Sequence, residues 1–158
     1  MSAANNLIKE FCQSIGMEGL QLDANKQCSL SFDDKVVLTF LSDDLGDNLT
    51  CLCYVAELGK PEGMRILLEQ NFLPEANGGA RYSLEPGTER VVASRVWSAL
   101  KTSVPEFSND VEAFVNGAMA TQKWLQDGTI PTSGIPGKNQ APATASPPDS
   151  ISMAHQAY

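Results

Sequence analysis

Apolar residues recur with a helical period in three stretches of the chain. The first predicts a helix over residues 3–15. The second predicts a helix over residues 61–72, which opens on a proline, a residue favoured in the first helical turn. The third begins after Ser103, an N-cap residue with Glu106 three positions later, and ends at Gly128. These three helices divide the chain into segments that have a different pattern.

The segments between the helices alternate apolar and polar residues with a period of two, which is typical of strands. The alternation is clearest where Leu30 and Phe32 follow Ser29 and Ser31. The next two strands are apolar on both faces, so the pattern leaves open which face lies outward. The predicted strands cover residues 20–23, 27–33, 35–42, 49–57, 80–85 and 90–97.

This order of elements predicts an α+β fold. A helix, three or four strands, a helix, two strands and a helix fit an antiparallel sheet with the helices mainly on one face. The predicted domain covers residues 1–128. Residues 129–158 are rich in Pro, Ser and Ala, and their only charged residues are Lys138 and Asp149. Such a composition cannot bury enough apolar surface to offset the entropy of ordering, so we expect a disordered tail.

The net charge argues against one large class of functions. Asp and Glu number 19 against 11 Lys and Arg, which gives a net charge of −8. A nucleic-acid-binding protein needs the opposite sign, so nucleic acid is not an expected partner. The first residues show no secretory signal, and no apolar run is long enough to span a membrane. We therefore expect a soluble, cytoplasmic protein that does not insert into membranes.

Two pairs of adjacent carboxylates are the first candidates for chemistry. Asp33 and Asp34 lie between two predicted strands, and adjacent residues point in different directions, which is poor geometry for an acid–base dyad. Asp43 and Asp44 lack the spacing of a calcium-binding loop. Both pairs are interpreted as turns, in which aspartate bonds its own backbone.

Nucleophilic and metal chemistry are not expected either. Cys12, Cys28, Cys51 and Cys53 lie in apolar segments, which predicts reduced thiols in the core. The one histidine, His155, lies in the predicted tail, so no base can be assigned to a serine or cysteine nucleophile. We therefore expect no enzymatic activity, no metal site and no cofactor.

Two of the predicted strands carry more apolar side chains than one layer of helices can cover. If helices cover one face of the sheet, apolar side chains of residues 35–42 and 49–57 remain on the other. Loops or a second subunit could bury them. The functional alternative is a binding site for an extended or helical segment of another protein, since sheet edges accept added strands.

Several short motifs occur in an order that resembles a known family. They are "CSLSFDD" followed by "VVLTF", "LLEQN" at the end of the second helix, "GGARYSLEPGTERVV" over the last hairpin, and a tryptophan near the end of the final helix. Together with "LQLD" at residues 20–23, they resemble the small type III secretion chaperones of class I, the Tir-chaperone group. The resemblance covers residues 7–125.

The resemblance implies a function that the residues alone do not. Such proteins are homodimers of α-β-β-β-α-β-β-α topology that bind the N-terminal segment of a secreted effector in the bacterial cytoplasm. They keep it competent for export and have no enzymatic activity. A further expected partner is the ATPase of the secretion apparatus. The alternative is a peptide-binding adaptor or regulator that sequesters its partner.

The resemblance also suggests two sets of contact residues. The implied effector-binding residues are Leu7, Phe11, Leu30, Phe32, Leu38, Phe40, Leu52 and Tyr54. The implied residues of the dimer interface are Met64, Leu67, Leu68, Phe72, Tyr82 and Leu84.

Overall fold

A computed structural model describes residues 1–135 of the chain. It contains three helices and five strands in the predicted order, and one short 3₁₀ helix that was not predicted. The helices are α1 (Ala3–Ser14), α2 (Gly63–Phe72) and α3 (Val104–Asp127), and the 3₁₀ helix is Pro74–Asn77. The strands are β1 (Gln27–Phe32), β2 (Val36–Ser42), β3 (Asn48–Glu57), β4 (Arg81–Leu84) and β5 (Arg90–Ser98).

The five strands form one antiparallel sheet in the order β1-β2-β3-β5-β4. Strands β1 and β4 are therefore its two edges. Each pairing is a hairpin except that of β3 with β5, between which α2 and β4 intervene. The predicted α+β fold is confirmed.

Helices α1 and α3 lie on one face of the sheet, and the core lies between them and the strands. Its centre is a cluster of aromatic rings in which Phe107 of α3 contacts Phe11, Phe40 and Trp97 with centroid separations of 5.1, 5.8 and 4.9 Å. Leu38 and Phe40 have no exposed surface. The face of β2 that carries them is therefore the inner one.

The turn between β1 and β2 accounts for the first acidic pair. Asp33 and Asp34 both have φ of 54°, the sign that a type I′ turn requires at its two central positions. Lys35 N–H closes the turn by donating to Phe32 O at 3.0 Å. Asp43 likewise accepts hydrogen bonds from the backbone of Asp47, at 2.9 Å, and of Asn48 in the next turn. Both acidic pairs lie in turns, as predicted.

The predicted strand at residues 20–23 is wrong. The chain there is irregular, and Gly19 before it has φ of 85°. Leu22 N–H donates to the side-chain Oδ1 of Asn5 at 2.9 Å, so it bonds α1 instead of a strand. Leu20 and Leu22 still pack against the core, which explains the alternation in the sequence.

The predicted tail begins with a packed segment. Residues 129–135 follow α3, and Gly134 among them is buried against α2. The remainder of the predicted tail, residues 136–158, lies outside the described residues. Composition predicts disorder from residue 129 because the tail has little apolar surface to bury. Gly134 packs against α2 without such surface, since a glycine needs only space and a hydrogen bond.

Candidate functional site

The edge of β1 carries unbonded backbone groups. Ser42 N–H donates to Lys26 O, so even-numbered residues of β1 bond β2 and odd-numbered residues point away from the sheet. Gln27 is bonded on its outer side by Asp23. Within residues 1–135, no group bonds the outward N–H and C=O of Ser29 and Ser31. This edge can therefore accept another strand.

A groove lies beside this edge on the helical face. It has a volume of about 300 Å³ and lies between the end of α1, the β1–β2 turn and the middle of α3. Ile15 is 39% exposed in it and Phe32 is half-buried, while Phe11 closes the floor. Asp33 and Glu112 lie on its rim. The groove is apolar inside and acidic outside.

No helix among residues 1–135 covers the other face of the sheet. Its outward side chains include Val37, Leu52, Tyr54 and Val96, which are 53%, 39%, 42% and 62% exposed. The guanidinium of Arg90 lies 4.2 Å above the Tyr54 ring, a cation–π contact. Serine and threonine side chains separate these apolar residues, so we call this surface the open face.

The β4 edge is different because a side chain already occupies part of it. Asn71 at the end of α2 accepts a hydrogen bond from Tyr82 N–H at 2.7 Å and donates to Tyr82 O at 2.9 Å. An amide that bonds both groups of one residue imitates a neighbouring strand. Of the two edges, β1 is therefore the more accessible to an added strand.

The structure separates the eight suggested effector-binding residues into two groups. Five are at most 5% exposed and cannot reach a partner without unfolding the core. Their suggested role as effector-binding residues is therefore corrected. The one exception is the small part of Phe11 that lines the groove. Leu52 and Tyr54 lie on the open face, and Phe32 lines the groove. The buried residues are Leu7, Phe11, Leu30, Leu38 and Phe40.

The suggested interface residues divide in a similar way. Met64, Leu68 and Phe72 follow one another every four residues along α2 and are 43%, 68% and 47% exposed. We call them the α2 stripe. Leu67 and Tyr82 are 6% and 5% exposed and belong to the core. Leu84 is half-buried.

The cysteines lie in apolar surroundings that suppress their reactivity. All four are buried. Burial raises the pKa of Cys12 and of Cys53 to about 11, and it raises the pKa of Cys51 further. A thiolate, the reactive form, is therefore disfavoured at neutral pH. Residues 1–135 contain no group of three or more side chains suited to a metal ion, and no helix among them is long and apolar enough to cross a membrane.

Sequence reasoning missed Ile15, Val37 and Asn71 as residues of the site. Ile15 belongs to the helical stripe of α1, but that stripe gives no sign that its last member emerges from the core. Val37 alternates with buried neighbours, and periodicity alone cannot show which set faces outward. Nothing in the sequence indicates the contact of Asn71 with Tyr82, since an asparagine near a helix end is ordinary.

Comparison with solved structures finds the same fold in chains of several protein complexes. The chain is similar to a chain of the ExsC–ExsE complex, with a TM-score of 0.67 and 21% identity over 79% of this chain and 97% of that one. It also resembles a chain of the HopA1–SchA chaperone–effector complex, with a TM-score of 0.65 and 21% identity over 75% and 91% of the two chains.

A third similar structure is the Yersinia pestis type III secretion chaperone SycH with a fragment of YscM2. Its TM-score is 0.64, at 15% identity over 75% of this chain and 98% of that one. No curated protein sequence matches the chain. The model of the Tir chaperone protein (CesT) family matches residues 6–122, most of the chain, and the chain therefore belongs to that family.

Proposed function

We propose that this protein is a cytoplasmic chaperone that binds the N-terminal segment of a type III secreted effector and keeps it competent for export. The observation that carries the proposal is the unbonded edge of β1 beside an apolar groove, in a chain of the Tir chaperone family. Delivery of the bound effector to the ATPase of the secretion apparatus completes the proposal. We infer no enzymatic activity, because these features serve binding.

The geometry favours an extended client segment. A strand added to β1 bonds Ser29 and Ser31 through its backbone, and its side chains alternate between the two faces of the sheet. Those on one face enter the groove lined by Ile15 and Phe32. Those on the other lie beside the exposed Ser29 and Ser31 on the open face. Backbone bonding of this kind is tolerant of sequence, while the groove selects apolar side chains.

The charges around the groove indicate which polar residues the client carries. Asp33 and Glu112 lie on the rim, and Asp34 is exposed in the adjacent turn. A client segment with a lysine or arginine beside its apolar anchors meets charges of opposite sign. Each exposed pair contributes little affinity, but together such charges steer association and determine orientation.

The α2 stripe supports a homodimer. Met64, Leu68 and Phe72 expose apolar side chains on one side of a ten-residue helix. A two-fold axis would bring this surface against its copy, so each residue would contribute twice. A dimer also presents two β1 edges, and a client that reaches both gains from a high effective concentration.

Identification of the client is the direct test. The full chain is purified from its native source with a tag, and stoichiometric partners are identified by mass spectrometry. We expect one secreted protein, and we expect limited proteolysis of the complex to leave a fragment from the client's N-terminal region. Absence of any stoichiometric partner would contradict the chaperone function. A protected internal fragment of a protein that is not exported would favour the alternative, an adaptor that sequesters its partner.

The edge itself is tested with Ser31→Pro and Ser31→Ala. Proline removes an outward N–H that bonds nothing within the sheet, so the chain still folds, since edge strands tolerate proline there. It removes a ladder bond worth about 0.5–1.5 kcal/mol and places a ring in the path of the added strand. We expect client affinity to fall at least about tenfold with proline and to stay unchanged with alanine. Equal affinity for both variants would exclude strand addition at β1.

A further inference from the structure

The segment that follows α3 returns to α2 and packs against it. Gly128 ends α3 with φ of 71°, and Lys60 Nζ donates to its carbonyl oxygen at 2.9 Å. The chain then reaches α2, where Gly134 is buried. We call residues 131–135 the strap.

A notch on α2 accepts the strap at one residue. Gly134 N–H donates to Glu69 Oε1 at 2.9 Å, and Asn77 Nδ2 donates to Gly134 O at 3.3 Å. Both backbone groups of Gly134 are therefore bonded. The bond from Gly134, followed by the nearby Arg65, lowers the pKa of the Glu69 carboxyl, which stays ionised at neutral pH.

The notch requires glycine because of space, not because of backbone conformation. The φ of Gly134 lies outside the left-handed region. A Cβ at this position would lie 2.6 Å from Ile66 O and 2.7 Å from Gln70 N. These two atoms form one turn of the α-helical hydrogen-bond ladder of α2. Any larger side chain therefore has to displace the strap or distort α2.

Hydrogen bonds continue from the strap into the core. The Asn77 side chain donates through its NH₂ group to Gly134 O. Its other atom, Asn77 Oδ1, therefore accepts a hydrogen bond from Gln70 Nε2 at 3.4 Å. Gln70 Nε2 also donates to Thr121 Oγ1 at 3.3 Å, and Thr121 donates to the Tyr82 hydroxyl at 3.0 Å. This orientation leaves the buried Gln70 Oε1 without a partner. The strap thus sets the direction of a polar network that joins α2, α3 and β4.

Helix α2 needs such external support. It has ten residues, and no side chain caps its N-terminus. A helix of this length is marginal by itself, so its position depends on what packs against it. Asn71 binds it to β4, and Gly134 binds it on the side of Ile66 and Gln70.

We propose that α2 and the 3₁₀ helix form a glycine-selective recognition notch, and that the chain's own residues 131–135 occupy it as a strap that holds α2 in place. Because α2 carries the stripe of the proposed dimer, the strap controls self-association, and this consequence rests on the proposed function. Release of Gly134 from the notch loosens α2 and weakens the dimer.

Gly134→Ala in the full chain tests the proposal, with Thr129→Ala, an exposed position before the strap, as the matched control. We expect hydrogen exchange of the Gly63–Phe72 amides to rise at least about tenfold in Gly134→Ala, while amides of β2 and β3 stay unchanged. Sedimentation velocity should show a weaker dimer. Exchange in α2 equal to that of Thr129→Ala would overturn the proposal.

Glu69→Gln keeps the shape of the notch and removes the charge of the acceptor, so it serves if Gly134→Ala does not fold. We expect the hydrogen exchange of the α2 amides to rise less than in Gly134→Ala. An exchange rate equal to that of the wild type would also overturn the proposal. If the wild-type protein is a monomer at all concentrations, the dimer of the proposed function fails. In that case the exchange rates of the α2 amides still test whether the strap holds α2 in place.

Discussion

Replacement of Leu68 by aspartate tests the α2 stripe as a dimer interface. Leu68 is 68% exposed, so the monomer loses little packing and should keep its fold. Full burial of a leucine side chain contributes about 1.5–3 kcal/mol, so burial of the exposed two thirds contributes about 1–2 kcal/mol in each copy. A two-fold interface contains the residue twice, so the loss is about 2–4 kcal/mol per dimer.

This loss corresponds to a dissociation constant about 30- to 700-fold higher. Sedimentation velocity over a range of concentrations measures it. Leu100→Asp is the matched control, because Leu100 is 66% exposed but lies in the connection between β5 and α3. A Leu68→Asp protein as dimeric as the wild type would refute the reasoning. So would equal dissociation of the Leu100→Asp protein, because the effect would then come from added charge alone.

The remaining predictions concern the core and its thiols. Phe40→Ala should lower the free energy of unfolding by about 3–5 kcal/mol in urea titrations, whereas Val37→Ala on the open face should change it by less than about 0.5 kcal/mol; equal losses would contradict the assigned inner face. Cys12 and Cys53, whose pKa values burial raises to about 11, should react with an aromatic disulfide reagent only after denaturation; fast reaction in the native protein at pH 7 would contradict their burial.

Periodicity predicted the three helices and the five strands of the sheet, but not which face of each strand lies outward. The stripe of α1 and the alternation in β1 predict those elements because their exposed positions are polar. In β2 both faces carry apolar residues, so Phe40 and Val37 look equivalent in sequence. Helix packing on one side distinguishes them, and that is a tertiary effect. This is why residues of the core were assigned to a binding surface.

The contacts of single polar side chains lie beyond sequence reasoning. Leu20 and Leu22 alternate as a strand does, but Asn5 bonds the backbone that a neighbouring strand would need. Asn71 covers part of the β4 edge, and Gly134 fits against α2, through atoms far apart in the sequence. Each depends on a distance between elements that local patterns do not contain. The contact of Asn71 nevertheless decides which edge of the sheet is more accessible.

Hydrogen exchange of two amides tests the central claim most directly. Ser29 and Ser31 N–H point away from the sheet and should exchange rapidly in the protein alone, while amides of β3 in the sheet centre exchange slowly. In the complex with the client identified by co-purification, we expect the exchange of Ser29 and Ser31 to slow at least about tenfold. If the client is bound and both amides still exchange at the rate of the protein alone, the client does not add a strand to β1.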